Sequence, residues 1–79
     1  MQLEIVTPDE SLFEGTVRRV QLPGKEGRFG ILDNHAPIVS TLVKGKIKVE
    51  IKGGDVKHFE IDGGVVEVNN NKVIVLAEK

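Results

Sequence analysis

Four groups of residues in this chain have types and spacing that could do chemistry. Lys25 lies in a run with glycine at every third position, Gly24, Gly27 and Gly30. That run invites comparison with a phosphate-binding loop. Such a loop needs its lysine followed by Ser or Thr at the start of a helix. Lys25 is followed by Glu26 and then more glycine, so the run reads as a looped strand entry. Asp33 and His35 stand two apart and could form an acid–base or metal-binding pair. The only other histidine, His58, falls on a different predicted strand, and no serine sits in a nucleophile elbow. Two ligands are too few for a metal site. Asp33 and Asn34 are therefore read as turn formers whose side chains bond their own backbone, with His35 ordering the loop. Lys44, Lys46, Lys48 and Lys52 share one stretch with Glu50 and read as a solvated, edge-protecting face. Arg18-Arg19 is too short for a nucleic-acid stripe. No catalytic residue, metal or cofactor is expected.

Composition narrows the classes further. Eleven basic and 12 acidic side chains leave a net charge of −1, which argues against a general binder of nucleic acid or anionic membranes. The only aromatics are three phenylalanines, a poor supply for base stacking or a glycan platform. With no cysteine, disulfide and thiolate-metal frameworks are excluded. No apolar run of about 18 residues and no apolar leader segment occurs in the sequence. At 79 residues one domain is expected, burying roughly 60% of the surface of the extended chain.

The elements that must position these residues are strands. Leu3 and Ile5 alternate with Gln2 and Glu4, giving a strand over 1–7 that Pro8-Asp9 ends. Residues 11–22 read as one extended run with a bulge or bend near Gly15 to Arg19. Pro23-Gly24 closes it. After the glycine-rich stretch, residues 38–43 form an apolar segment ended by Lys44-Gly45. Ile47, Val49 and Ile51 then alternate with Lys46, Lys48 and Glu50, the clearest period of two in the chain. Gly53-Gly54-Asp55 predicts a hairpin turn, Asp62-Gly63-Gly64 another, and Asn69-Asn70-Asn71 a third. Strands over 56–61, 65–68 and 73–77 lie between and after them. No helical period is present. About seven short strands with regular punctuation predict an all-β fold, an antiparallel sandwich or flattened barrel.

Val73-Ile74-Val75-Leu76-Ala77 is apolar on both faces, and Val65-Val66 and Leu42-Val43 repeat this on a smaller scale. A half-exposed strand needs one apolar face. Either closure of the fold and crossing loops cover the second face, or another chain does.

Three stretches, PGKEGRFGILDNHAP at 23–37, FEIDGGVVEV at 59–68 and VIVLAE at 73–78, together resemble the N-terminal sandwich domain of the epsilon subunit of F-type ATP synthase. The resemblance runs over essentially the whole chain. It implies a flattened antiparallel sandwich of about ten short strands. It implies a non-catalytic central-stalk role, bound to the gamma subunit and the ring of c subunits and rotating with them, coupling proton or sodium flow to ATP synthesis. The location implied is peripheral, on the cytoplasmic face of the bacterial inner membrane, through partners. The ring-facing loop of the family matches Glu26, Gly27 and Arg28. The family often has an acidic residue where Arg28 stands, so this position departs from its pattern. The gamma-facing side would include the segment after the GIL strand, with His35, Ile38, Ser40 and Leu42, and a two-faced apolar strand or loop is expected against gamma. Many members continue into a two-helix arm that restrains ATP hydrolysis and in some binds ATP. This sequence ends at Lys79, so no arm-based inhibition is expected of it.

Overall fold

Alternation of apolar and polar residues makes the strands and decides which face each one buries. The computed structural model describes all of residues 1–79 and contains seven strands and no helix. They are β1 (Gln2–Val6), β2 (Ser11–Thr16), β3 (Arg19–Gly24), β4 (Gly27–Leu32), β5 (Ile38–Glu50), β6 (Val56–Asn69) and β7 (Lys72–Glu78). Hydrogen bonding joins them in the order β2-β1-β7-β6-β5-β3-β4.

Two of these strands are far longer than the rest, at 13 and 14 residues. Their halves have different neighbours. Residues 63–69 of β6 pair with β7, whereas 56–61 pair only with β5. Residues 48–50 of β5 pair with β3, while 38–41 have β6 alone. The sheet thus folds over on itself. Its first layer holds β2, β1, β7, residues 63–69 of β6 and residues 38–43 of β5. Its second holds the other halves with β3 and β4. Counted by layer the pieces number nine, which is where the expected ten short strands and the observed seven meet.

The predicted breaks at Lys44-Gly45 and Asp62-Gly63-Gly64 are therefore bends inside strands, not turns. The bends lie side by side, since Val43 pairs with Gly63 and Gly45 with Ile61. Gly64 has φ +148°, and a Cβ there would stand 2.3 Å from the Leu76 carbonyl oxygen. Only glycine lets β7 approach the bend this closely.

The expected single run over 11–22 is two strands in different layers. Val17 and Arg18 carry the chain between them, donating to Met1 and Glu50 carbonyls at 2.9 and 2.8 Å. The bulge or bend expected near Gly15 to Arg19 is this crossing. A further departure from an all-antiparallel sheet is that β1 and β7 run parallel. The Gly53-Gly54 hairpin and the Asn70-Asn71 turn form as predicted. Both asparagines have positive φ, 51° and 60°, the pattern of a tight hairpin turn.

Leu3, Ile5, Val66, Val73 and Val75 from the first layer meet Val20, Leu22, Ile31, Ile47 and Val49 from the second, all fully buried. No buried polar side chain interrupts this core. One flank is closed where Phe13 of β2 meets Phe59 of β6 edge-to-face, centroids 5.9 Å apart. Lys57 lies over the Phe13 ring, adding a cation–π contact.

Gly64→Ala is expected to lower stability by about 3 kcal/mol or more, because both φ and the Leu76 oxygen oppose a Cβ. Gly27→Ala, with positive φ but nothing within 4 Å of the new carbon, is expected to cost about 1 kcal/mol. Urea unfolding of the two variants measures the contrast; equal losses would contradict the role given to the Gly64 contact.

Candidate functional site

The glycine-rich stretch becomes a β-hairpin. Gly24 pairs with Gly27, leaving Lys25 and Glu26 as its two-residue tip. Two bonds fix this tip to β5. The Lys25 amide donates to the Thr41 carbonyl at 3.1 Å. The Arg28 guanidinium donates to the Lys46 carbonyl at 2.7 Å. Arg28 is thus tied to a backbone oxygen of the neighbouring strand, not to a carboxylate. The hairpin rests on the flank opposite Phe13, where the free edge of β5 lies near β4.

Between them runs an open groove. Glu26, Gly27, Arg28 and Phe29 form one wall, and Ile38, Val39 and Ser40 the other. Sequence reasoning assigned Glu26 to Arg28 and Ile38 to Ser40 to two different faces; the fold brings them to one place. Ile38 and Ser40 are half-buried and point inward with Leu42. Leu42 itself is 3% exposed and belongs to the core. The resemblance puts it on the gamma-facing side, but parity sets it opposite Gly64, on the inner side. The residue that reasoning missed is Val39, 71% exposed. Alternation from buried Leu42 backward would have found it.

His35 does not line the groove. Its amide donates to the Leu32 carbonyl at 3.3 Å. Its ring Nδ1 lies 2.7 Å from the Ala36 carbonyl oxygen, which fits an Nδ1–H donor. His35 therefore orders the turn before β5. Asp33 accepts from the Met1 ammonium at 2.5 Å, and that ammonium also donates to the Val17 carbonyl. The Asn34 amide donates to the Asn71 side chain at 2.8 Å. Asp33 and His35 are consumed in holding one end of the sandwich together. No group of three or more potential metal-ligating His, Asp or Glu side chains comes together in the fold.

The groove sets charged Glu26 and Arg28 beside apolar Phe29, Ile38 and Val39. The family model for the beta-sandwich domain of the ATP synthase delta/epsilon chain matches residues 1–79. The chain belongs to this family. ATP synthase epsilon chains are its relatives: that of Caulobacter vibrioides is 44% identical over 99% of this chain and 90% of its own length. That of Chlorobium limicola is 40% identical over 98% and 88%. That of Leptospira borgpetersenii is 38% identical over 99% of this chain, which spans only 61% of it. Among solved structures, a chain of the Euglena gracilis mitochondrial ATP synthase assembly of OSCP, F1 and c-ring superposes with a TM-score of 0.92. It is 28% identical, covering 98% of this chain and 49% of that one. A chain from the Tetrahymena thermophila central stalk and c-ring has a TM-score of 0.82 at 20% identity, covering 99% and 63%, and shares the fold.

The delta/epsilon sandwich predicts its own tolerance along β5. Leu42→Asp buries a charge without a partner and is expected to abolish the folded state. Val39→Asp is expected to change stability by no more than about 0.5 kcal/mol. Circular dichroism melts of the pair decide the assignment; a folded Leu42→Asp chain would contradict it.

Proposed function

We propose that this chain is a non-catalytic central-stalk component of an F-type ATP synthase, gripped by the gamma subunit and the c-subunit ring. It turns with them and helps couple ion flow to ATP synthesis. The observation that carries this reading is the groove joining the Glu26–Arg28 hairpin tip to the Ile38–Ser40 edge. One flank of a stiff body then offers adjoining contacts for two neighbours. In this reading Glu26, Gly27 and Arg28 meet the ring. Ile38 and Ser40, with exposed Val39, meet gamma, while His35 holds the turn that sets the β5 edge. Leu42 contributes from beneath as core.

The requirement is mechanical. A joint that bears torque must not slip, so it must bury substantial surface. Stable interfaces remove at least ~1,200 Å² in total. If half is apolar, at about 25 cal/mol per Å² the gross gain is on the order of 15 kcal/mol before the costs of association. A single 79-residue sandwich has room for such a contact. Attachment to the membrane runs through these partners, on the cytoplasmic face in a bacterium; no helix of the chain is long and apolar enough to cross a membrane. The bacterial sources of the epsilon-chain relatives support that location.

Co-purification tests the assignment. A tagged chain incorporated into the complex is expected to retain gamma and the c ring. Ile38→Asp is expected to weaken gamma retention by roughly tenfold, and Glu26→Lys with Arg28→Glu to weaken ring retention. Full retention of both partners by folded variants would overturn the placement. Failure of the unaltered chain to bring down either partner would overturn the function.

A further inference from the structure

The ladder between β3 and β5 has a gap beneath the hairpin tip. Arg19 pairs with Glu50 and Gln21 with Lys48, and the register then slips before Gly24 meets Leu42. Continued without the slip, residue 23 would stand opposite Lys46. Backbone groups of an antiparallel strand point alternately to its two neighbours. The Lys25 amide donates to Thr41 of β5 at 3.1 Å, so the backbone nitrogen at position 23 is turned to β5 as well. Position 23 is a buried proline in a strand with a neighbour on each side. Proline has no N–H to give to a ladder, and inside a sheet it is confined to edges and bulges.

The Lys46 carbonyl is thereby left without a donor from β3. Arg28 of β4, the cross-strand partner of Pro23, fills the vacancy. β3 lies between β4 and β5, so the Arg28 side chain crosses it, and its guanidinium donates to the Lys46 oxygen at 2.7 Å. A Cβ on Gly45 would come within 2.8 Å of the Pro23 Cβ, so the proline ring rests directly on the bend of β5. Three contacts then locate the tip: Gly24 beside Leu42, the Lys25 amide on Thr41, and Arg28 on Lys46. The first two are made by backbone and the third by a side chain.

We propose that Arg28 is a positioning residue: it substitutes a side-chain donor for the N–H that Pro23 lacks, and so sets the hairpin tip over β5 and the width of the groove facing Ile38–Ser40. Arginine suits this task, since its stem is long enough to cross a strand and its donors form a rigid fork. The guanidinium is engaged inside the molecule and is not the group that meets a neighbour. Lys25 and Glu26 are exposed and make no ion pair, so the charge that the tip turns outward is theirs. The consequence for the c-subunit ring rests on the central-stalk reading. The brace itself does not, and the isolated chain tests it.

Amide hydrogen exchange of the isotopically labelled chain reads the brace. Arg28→Met keeps an apolar stem and removes the donors. It is expected to speed exchange of the Lys25 amide roughly tenfold and to leave the amides of β1 and β7 unchanged, a split that general loss of stability would not give. Arg28→Lys keeps a donor at similar reach and is expected to restore protection. Pro23→Ala returns an N–H to the ladder, and in that background Arg28→Met is expected to leave the Lys25 amide unchanged. Co-purification of the same variants with the c ring is expected to follow: weakened retention for Arg28→Met, full retention for Arg28→Lys and for Pro23→Ala with Arg28→Met. Unchanged Lys25 exchange in Arg28→Met would overturn the proposal. So would equal loss of ring retention with and without Pro23→Ala, which would make the guanidinium a direct contact. Failure of the unaltered chain to retain its partners would overturn the central-stalk reading, with the brace judged by exchange alone.

Discussion

The constraint on which this structure depends is that β5 and β6 belong to both layers at once. Their mutual pairing runs from Ile38–Val68 to Glu50–Val56 without a turn. Each layer is therefore hydrogen-bonded to the other through continuous backbone, in addition to the core between them. An ordinary sandwich joined by loops could shear as its two sheets slide. Here shear would have to break a ladder that passes through the bend. Gly45 and Gly63-Gly64 permit that bend, and the close approach of Leu76 to Gly64 locks it to β7.

This constraint decides how the molecule presents itself. Folding one sheet over leaves four free strand edges: β2, β4, the first half of β6 and the first half of β5. Such edges invite unwanted pairing. The Phe13–Phe59 contact, with Lys57 above it, shields one flank. On the other flank the hairpin tip is tied to Thr41 and Lys46 of β5, which leaves the Ile38–Ser40 edge standing beside it. A body that is stiff across its layers and open along one edge is suited to being held. The side chains that looked most reactive, Asp33 and His35, lie at the loop end and serve the same stiffness.

Much of this could be read from the residues, and the misses have physical causes. Alternation around Ile47, Val49 and Ile51 gave the inner face of the second layer correctly. The Gly53-Gly54 and Asn70-Asn71 turns were legible because positive φ selects those residues. Gly63-Gly64 was misread as a turn because glycine serves bends within strands as readily as turns between them. The split at Val17 was hidden since an extended chain crossing between layers resembles a bulged strand. The resemblance puts Leu42 on the partner-facing side, and its apolar run does not announce which face it turns inward; pairing with Gly64 does so. The three motif stretches carried the family, and the family model and relatives bear that out over the whole chain. The joining of Glu26–Arg28 to Ile38–Ser40 was out of reach, as it arises from tertiary packing of the hairpin on β5.

The central claim is that the shared strands make the two layers one mechanical unit. Native-state hydrogen exchange across a denaturant series tests it most directly. The account predicts that protected amides of β5 and β6 on both sides of the bends open together, with the same free energy and the same denaturant dependence as global unfolding. If amides of the β3–β4 layer opened at a distinctly lower free energy than those of the β1–β7 layer, the layers would be separable and the account would be contradicted.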